Sequence, residues 1–122
     1  MLDTHAAIWV FEKKKARFSK EAAKRIEADQ LFLSPFSVLE MEYLFEIGRI
    51  SCSSSEIINA LTNKAIASIA DASLDSALRL SIYEKWTRDP FDRLITAHAK
   101  ACDFFLLTKD DTIRKNYFKS IW

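Results

Sequence analysis

The sequence predicts an α/β fold, a three-layer α/β/α sandwich around a mainly parallel central sheet whose first strand is shortened. Three observations predict it. Compact apolar runs at Leu31-Phe-Leu-Ser34 and Phe104-Phe-Leu-Leu107 read as strands buried on both faces. Between and around them lie longer segments with apolar residues at helical spacing, several opened by a capping residue. Strands that alternate with helices close as βαβ units with parallel pairing.

In chain order, Met1-Leu2 is the tail of a strand, and Asp3-Thr4-His5 is the turn that follows it. Ala6 to Phe11 forms a short apolar helix packing through Ile8, Trp9 and Phe11. Glu12 to Phe18 is a charged connection, and Ser19 caps a helix running to about Ala28. Pro35 closes the Leu31 strand. Ser37-Val-Leu-Glu40 has the capping-box pattern, so the next helix is expected to start there. That helix is expected to turn Leu39, Tyr43, Leu44 and Ile47 inward and to stop at Gly48 as its C′ residue. Ser53-Ser-Ser-Glu56 repeats the box ahead of Ile57, Ile58 and Leu61, which form either core or a partner groove.

Ala65 to Ala70 fits a strand and a helical turn equally. A helix then starts at Asp71 or Ser73 and runs through Leu74, Ala77 and Leu78 toward Tyr83. Asp89 is a favourable N-cap and Pro90 suits the first helical position, so a helix runs from Pro90 to about Ala101 through Phe91, Leu94 and Ile95. Thr108-Lys-Asp110-Asp111 ends the Phe104 strand, a helical turn surrounds Ile113, and Ile121-Trp122 is a strand stub.

Composition narrows the function. The 122 residues are 49% hydrophobic and 12% aromatic, which suits one packed unit over 1–122 without repeats or linkers. Eighteen basic and 17 acidic residues leave a net charge of +1, so any nucleic-acid contact rests on local patches. The best such patch is Lys13-Lys14-Lys15-Ala-Arg17, with Lys13 and Lys14 as candidate RNA contacts. Two cysteines, Cys52 and Cys102, provide neither a disulfide scaffold nor a zinc site. A single glycine, Gly48, excludes a glycine-rich phosphate loop. Neither a signal peptide nor a spanning helix is expected, and the implied setting is reducing and cytoplasmic.

The carboxylates follow the predicted strand ends. Asp3 ends the first strand, Glu40 lies in the helix after the Leu31 strand, Asp92 lies in the first turn after Pro90, and Asp110 follows the Phe104 strand. Ligands of parallel α/β sheets bind beyond the carboxyl ends of the strands, where all four acids could converge with Thr4, Ser37 and Thr108. Gathered carboxylates repel unless a cation or a shared proton compensates, and an all-oxygen donor set favours Mg²⁺ or Mn²⁺. Taken singly, Glu40 is a capping-box partner and Asp92 a helix-start charge; together the acids point to a metal site.

These residues resemble a known family. Asp3-Thr-His, Ser37-x-x-Glu40, Asp89-Pro-Phe-Asp92-Arg and Leu107-Thr-Lys-Asp110 stand in the order and approximate spacing of the PIN domain, and most resemble its VapC-type bacterial toxins. The likeness covers essentially the whole chain, to the Gly48-Arg-Ile helix ending and the Tyr117 to Trp122 tail. It implies an endoribonuclease dependent on Mg²⁺ or Mn²⁺, acting through a metal-activated water and leaving a 5′-phosphate and a 3′-hydroxyl. It further implies a cognate antitoxin that blocks the acidic site, and a homodimer. By the same resemblance Asp3, Glu40 and Asp92 match the metal-site acids, Asp110 the fourth acid, and Thr108 the accompanying hydroxyl. Relatives carry several apolar residues before the first Asp where this chain has Met1-Leu2, so either the native chain starts upstream or the strand is clipped.

Around the acids, Arg93 either binds phosphate or makes a structural salt bridge, and Lys109 faces substrate. His5 either touches substrate or holds its loop, the reading we prefer, and His98 falls on the helix surface. Two rival readings are a PIN-like module that binds RNA or protein without catalysis, which intact acids at all four positions disfavour, and a receiver-like phospho-acceptor domain. The second lacks a mid-chain strand ending in an acceptor Asp. An aspartyl-phosphate phosphatase is disfavoured because position 5 is His.

Overall fold

A computed structural model describes residues 1–71 and 74–122. Helix α1 spans Thr4–Phe11, a short 3-10 turn Lys15–Arg17, and α2 Lys20–Ala28, capped as expected by the Ser19 hydroxyl. Strand β1 is Leu31–Leu33, followed by α3 at Pro35–Glu46 and α4 at Ser54–Asn63. The ambiguous stretch near residue 67 is a strand, β2 at Ala67–Ile69, followed by α5 at Leu74–Ser81. Of its two expected starts, Asp71 is not helical, and Ser73 lies outside the described residues. Helix α6 is Pro90–Ala101, β3 Leu106–Leu107, α7 Asp111–Asn116 and β4 Ser120–Ile121.

All strand pairing among the described residues is parallel. β2 lies beside β1, and β4 beside β3. Leu2 joins the two pairs, bridging Leu33 on one side and Leu107 on the other. The Leu2 N–H donates to the Phe32 carbonyl at 2.8 Å, the Leu107 N–H to the Met1 carbonyl at 2.8 Å, and the Asp3 N–H to the Leu107 carbonyl at 3.0 Å. The shortened first strand is therefore the centre of the sheet. Strand alternation divides the core by face. Leu2, Leu31, Leu33 and Leu107 pack with α1, α2 and α4 residues, while Met1 and Leu106 pack with Ile95, Ala99, Ile113 and Tyr117. Helices cover both faces, which explains why the strands read as unbroken apolar runs.

Three local expectations are corrected. Helix α3 starts a turn early: Ser34 caps the Phe36 N–H at 3.2 Å and Pro35 occupies the first helical position. Ser37 is then buried inside the helix, and its capping box with Glu40 does not form. The buried face of α3 also differs from the expected one. Ser37 and Met41 are buried, Leu44 is half-buried, and Leu39, Tyr43 and Ile47 are exposed rather than inward. Strand β3 is shorter than Phe104 to Leu107 because the Phe104 N–H closes the end of α6, donating to the Ala99 carbonyl at 2.9 Å. His98 is fully buried, its Nδ1 2.9 Å from the Ser34 hydroxyl and its ring edge-on to Phe36. Burial from Ile95 through Ala99 leaves this part of α6 no surface, and α3 and α5 both pack on it.

Other signals hold. Gly48 has φ of +72°, and the Gly48 and Arg49 N–H groups donate to the Phe45 and Leu44 carbonyls, a Schellman ending that favours glycine. The Ser53–Glu56 capping box forms in both directions, and Ile57 and Leu61 are core. Among the described residues no helix is long and apolar enough to cross a membrane.

Candidate functional site

Each parallel strand delivers its chain to the same end of the sheet, and the acids lie just beyond. Asp3 follows Leu2 directly and caps α1, accepting from the Ala6 N–H at 2.6 Å. Asp110 follows β3 and caps α7, accepting from the Thr112 and Ile113 N–H groups at 2.7 and 2.8 Å. Thr108 stands between them, fully buried. Its hydroxyl accepts from the Asp110 N–H at 3.1 Å and hydrogen bonds to the Asp3 carboxylate.

Glu40 comes from the body of α3 and Asp92 from the first turn of α6. Glu40 lies five residues past the start of α3 and accepts from the buried Thr4 hydroxyl. Asp92 accepts from the Thr87 hydroxyl at 3.3 Å. The start of α6 is set by Asp89, which accepts from the Phe91 and Asp92 N–H groups at 2.8 and 3.2 Å.

Asp3, Glu40, Asp92 and Asp110 line one cavity of about 240 Å³, together with Thr4, His5 and a fifth acid, Asp89. Crowding and burial both act on their protonation. Burial pushes the Asp3 carboxyl above the usual carboxylate range, against hydrogen bonds from Thr108 and the Ala6 N–H. Glu40 moves up for the same reason, opposed by Thr4 and aided by the Asp89 and Asp3 charges. Asp92 is pushed up to about 6, first by burial and then by Asp89 and Asp110. The carboxylates nevertheless remain spread around the cavity. Among the described residues, no three His, Cys, Asp or Glu side chains form a group able to hold a metal ion between them.

The surrounding candidates separate. Arg93 makes no salt bridge among the described residues; its Nε donates to the Thr87 carbonyl at 2.7 Å, steadying the segment that presents the Thr87 hydroxyl to Asp92. Lys109 is exposed beside Thr108 and outside the cavity lining. Lys14 lines an adjoining cavity and pairs with Glu12 at 2.8 Å, whereas Lys13 lines neither that cavity nor the acidic one. His5 is exposed at the acidic cavity and its ring lies 6.1 Å from that of Trp9.

Two residues enter the site without having been read from the sequence as site residues, Asp89 and Thr87. The signal was local: Thr87-x-Asp89-Pro90 is a hydroxyl-capped turn, and the Asp89 N–H donates to the Thr87 hydroxyl at 3.1 Å. A cap three residues before Asp92 necessarily brings a second carboxylate to the same helix end.

Residues 1–119 match the model of one protein family, the PIN domain, a nuclease-type fold. No curated protein matches the chain.

Proposed function

The chain belongs to the PIN domain family, and on that premise we propose that it is a metal-dependent endoribonuclease, the toxin of a VapBC-type toxin–antitoxin pair. One observation carries the reading: acids from the ends of separate parallel strands and helices line a single cavity. The donor set fits a hard cation. Mg²⁺ keeps several of its waters and needs only one or two direct carboxylates, so acids spread around a cavity suit it without a closed cage. Asp3, Glu40 and Asp92 would hold Mg²⁺ or Mn²⁺, with Asp110 as the fourth acid. When bound, the ion supplies an activated water and charge neutralisation at the phosphate being cut. The chain's own part is positional. Thr108 ties Asp3 to the start of α7, Thr4 and Thr87 orient Glu40 and Asp92, and Lys109 and Lys14 border the path of the RNA.

The toxin reading adds two partners. An antitoxin would insert a basic side chain among the five acids, where it relieves their repulsion. A second copy would cover the exposed Leu74, Leu78 and Ile82. Light scattering should then give twice the chain mass, and Leu78→Glu should return it to the monomer.

The test is cleavage of labelled single-stranded RNA by the purified chain with Mg²⁺ or Mn²⁺, beside Asp92→Asn. The wild type is expected to leave 5′-phosphate ends and the variant to leave the RNA intact. Equal cleavage by both would overturn the mechanism. The second reading, a binding module without catalysis, is favoured by the acids' failure to group as metal ligands; RNA bound but uncut with either ion would establish it.

A further inference from the structure

A larger cavity of about 660 Å³ adjoins the acidic one and shares His5, Glu40 and Asp89 with it. Its volume lies in the range that holds a drug-sized ligand, which a nucleotide is. Two aromatic rings from different helices meet on its wall. Tyr43 of α3 and Phe91 of α6 lie 6.1 Å apart with their planes at 33°. Tyr43 is half exposed, so core packing does not account for the ring.

The charges along the cavity are arranged unevenly. Glu40 and Asp89 stand where it meets the acidic pocket, and Glu12 is occupied by Lys14 at 2.8 Å. Arg49, just beyond the end of α3, is exposed and pairs with no carboxylate among the described residues. Glu40 and Asp89 on the acidic side repel a phosphate, and an aromatic wall attracts the face of a base, whereas the Arg49 guanidinium, also on the cavity lining, suits the backbone. A base is available to such a wall only when it is unpaired and unstacked.

We infer that Tyr43 and Phe91 form a stacking platform for one unpaired nucleobase of single-stranded RNA, beside the phosphate presented to the acids, with Arg49 on the flanking phosphate. The inference rests on the ribonuclease reading above and deepens it. The base enters the cavity, its sugar-phosphate turns outward, and the chain thereby favours single strands over duplex. His5 closes the boundary between the two cavities and touches the nucleotide on the acidic side.

Fluorescence anisotropy in EDTA tests this without cleavage, using an RNA of about ten nucleotides as a single strand and as a duplex. The wild type should bind the single strand at least about tenfold more tightly than the duplex. Tyr43→Ala and Tyr43→Leu should each weaken single-strand binding roughly tenfold, and Tyr43→Phe should retain it. The leucine variant keeps an apolar side chain of fair size, so it separates loss of the ring from loss of folding. Arg49→Gln should lower the salt slope of binding by roughly 0.7. Unchanged binding by Tyr43→Leu, equal binding of duplex and single strand, or no RNA binding by the wild type would each overturn the platform. Parallel assays with Mg²⁺ keep the two readings apart. Cleavage that ignores Tyr43 in binding and rate removes the platform and leaves the nuclease, whereas Tyr43-dependent binding without cleavage leaves the platform and removes the nuclease.

Discussion

Asp3 and Asp110 reach the acidic cavity as the capping residues of their helices, whereas Glu40 and Asp92 lie past the caps of theirs, and the two pairs are held differently. Each member of the first pair spends a carboxylate oxygen on backbone N–H groups of its own helix. Folding α1 and α7 therefore positions those acids with no separate device. Members of the second pair depend on hydroxyls outside their helices, the remote Thr4 for Glu40 and Thr87 of the preceding turn for Asp92. One pair is part of the scaffold; the other is carried by it. The difference implies that the site can be altered chemically at Glu40 and Asp92 with little structural loss, while changes at Asp3 and Asp110 disturb both.

The largest expected effect is on activity. Several kcal/mol of metal-borne stabilisation corresponds to at least about a hundredfold in rate. Asp92→Asn and Asp3→Asn should both lose cleavage by that factor in a gel assay, and retention by either would remove that acid from the site. Next in size is stabilisation by the ion. At roughly a hundredfold excess over its Kd, Mg²⁺ should raise wild-type stability by about 2.7 kcal/mol, read as a rise in Tm, and should do little for Asp92→Asn.

The caps come third, and they discriminate the pairs most directly. Asn caps a helix about as well as Asp, whereas Ala does not. Asp3→Ala and Asp110→Ala should each fall about 1 kcal/mol below the corresponding Asn variant, about 4 °C in Tm. No such gap should separate Asp92→Ala from Asp92→Asn beyond about 0.5 kcal/mol, because among the described residues Asp92 accepts from no backbone N–H and the Thr87 hydroxyl it would leave is only half-buried. A gap at Asp92 as large as that at Asp3 would break the distinction.

The smallest effect is a drift with pH in metal-free protein. The Asp92 carboxyl is pushed from 3.8 to about 6. Between those values the folded state keeps a proton that the unfolded chain has released, so the contribution of Asp92 to stability falls as pH rises through the window. Asp92→Asn cannot lose that proton. Its Tm should therefore gain on the wild type as pH goes from about 4 to about 7, with partial exposure screening the size of the gain. A Tm difference independent of pH would show that Asp92 ionises freely in the fold.

Several features were legible in the residues because the forces that set them act within a few positions. Asp89-Pro90 and Ser19 start helices, Ser53 and Glu56 cap each other, and Gly48 ends α3 through its positive φ. The parallel sheet was legible through its unbroken apolar runs, and all four predicted acids line one cavity because strand ends and helix starts are local signals too. Where two local signals competed, the nearer one to the strand prevailed. Ser34-Pro35 displaced Ser37–Glu40 as the start of α3, and packing buried the Ser37 and Met41 face of that helix, leaving Leu39, Tyr43 and Ile47 facing out.

What the sequence determined by itself is thus the set of elements, their caps, and the acids at their ends. Tertiary structure alone decided which faces those elements buried and what stood across from each acid. The burial of His98 required α3 and α5 to close over α6. The bond between Thr4 and Glu40 spans 36 positions, and the meeting of Tyr43 with Phe91 required two helices to pack. A spacing rule reaches about one helical turn, and these contacts arise from packing among elements far apart in the chain.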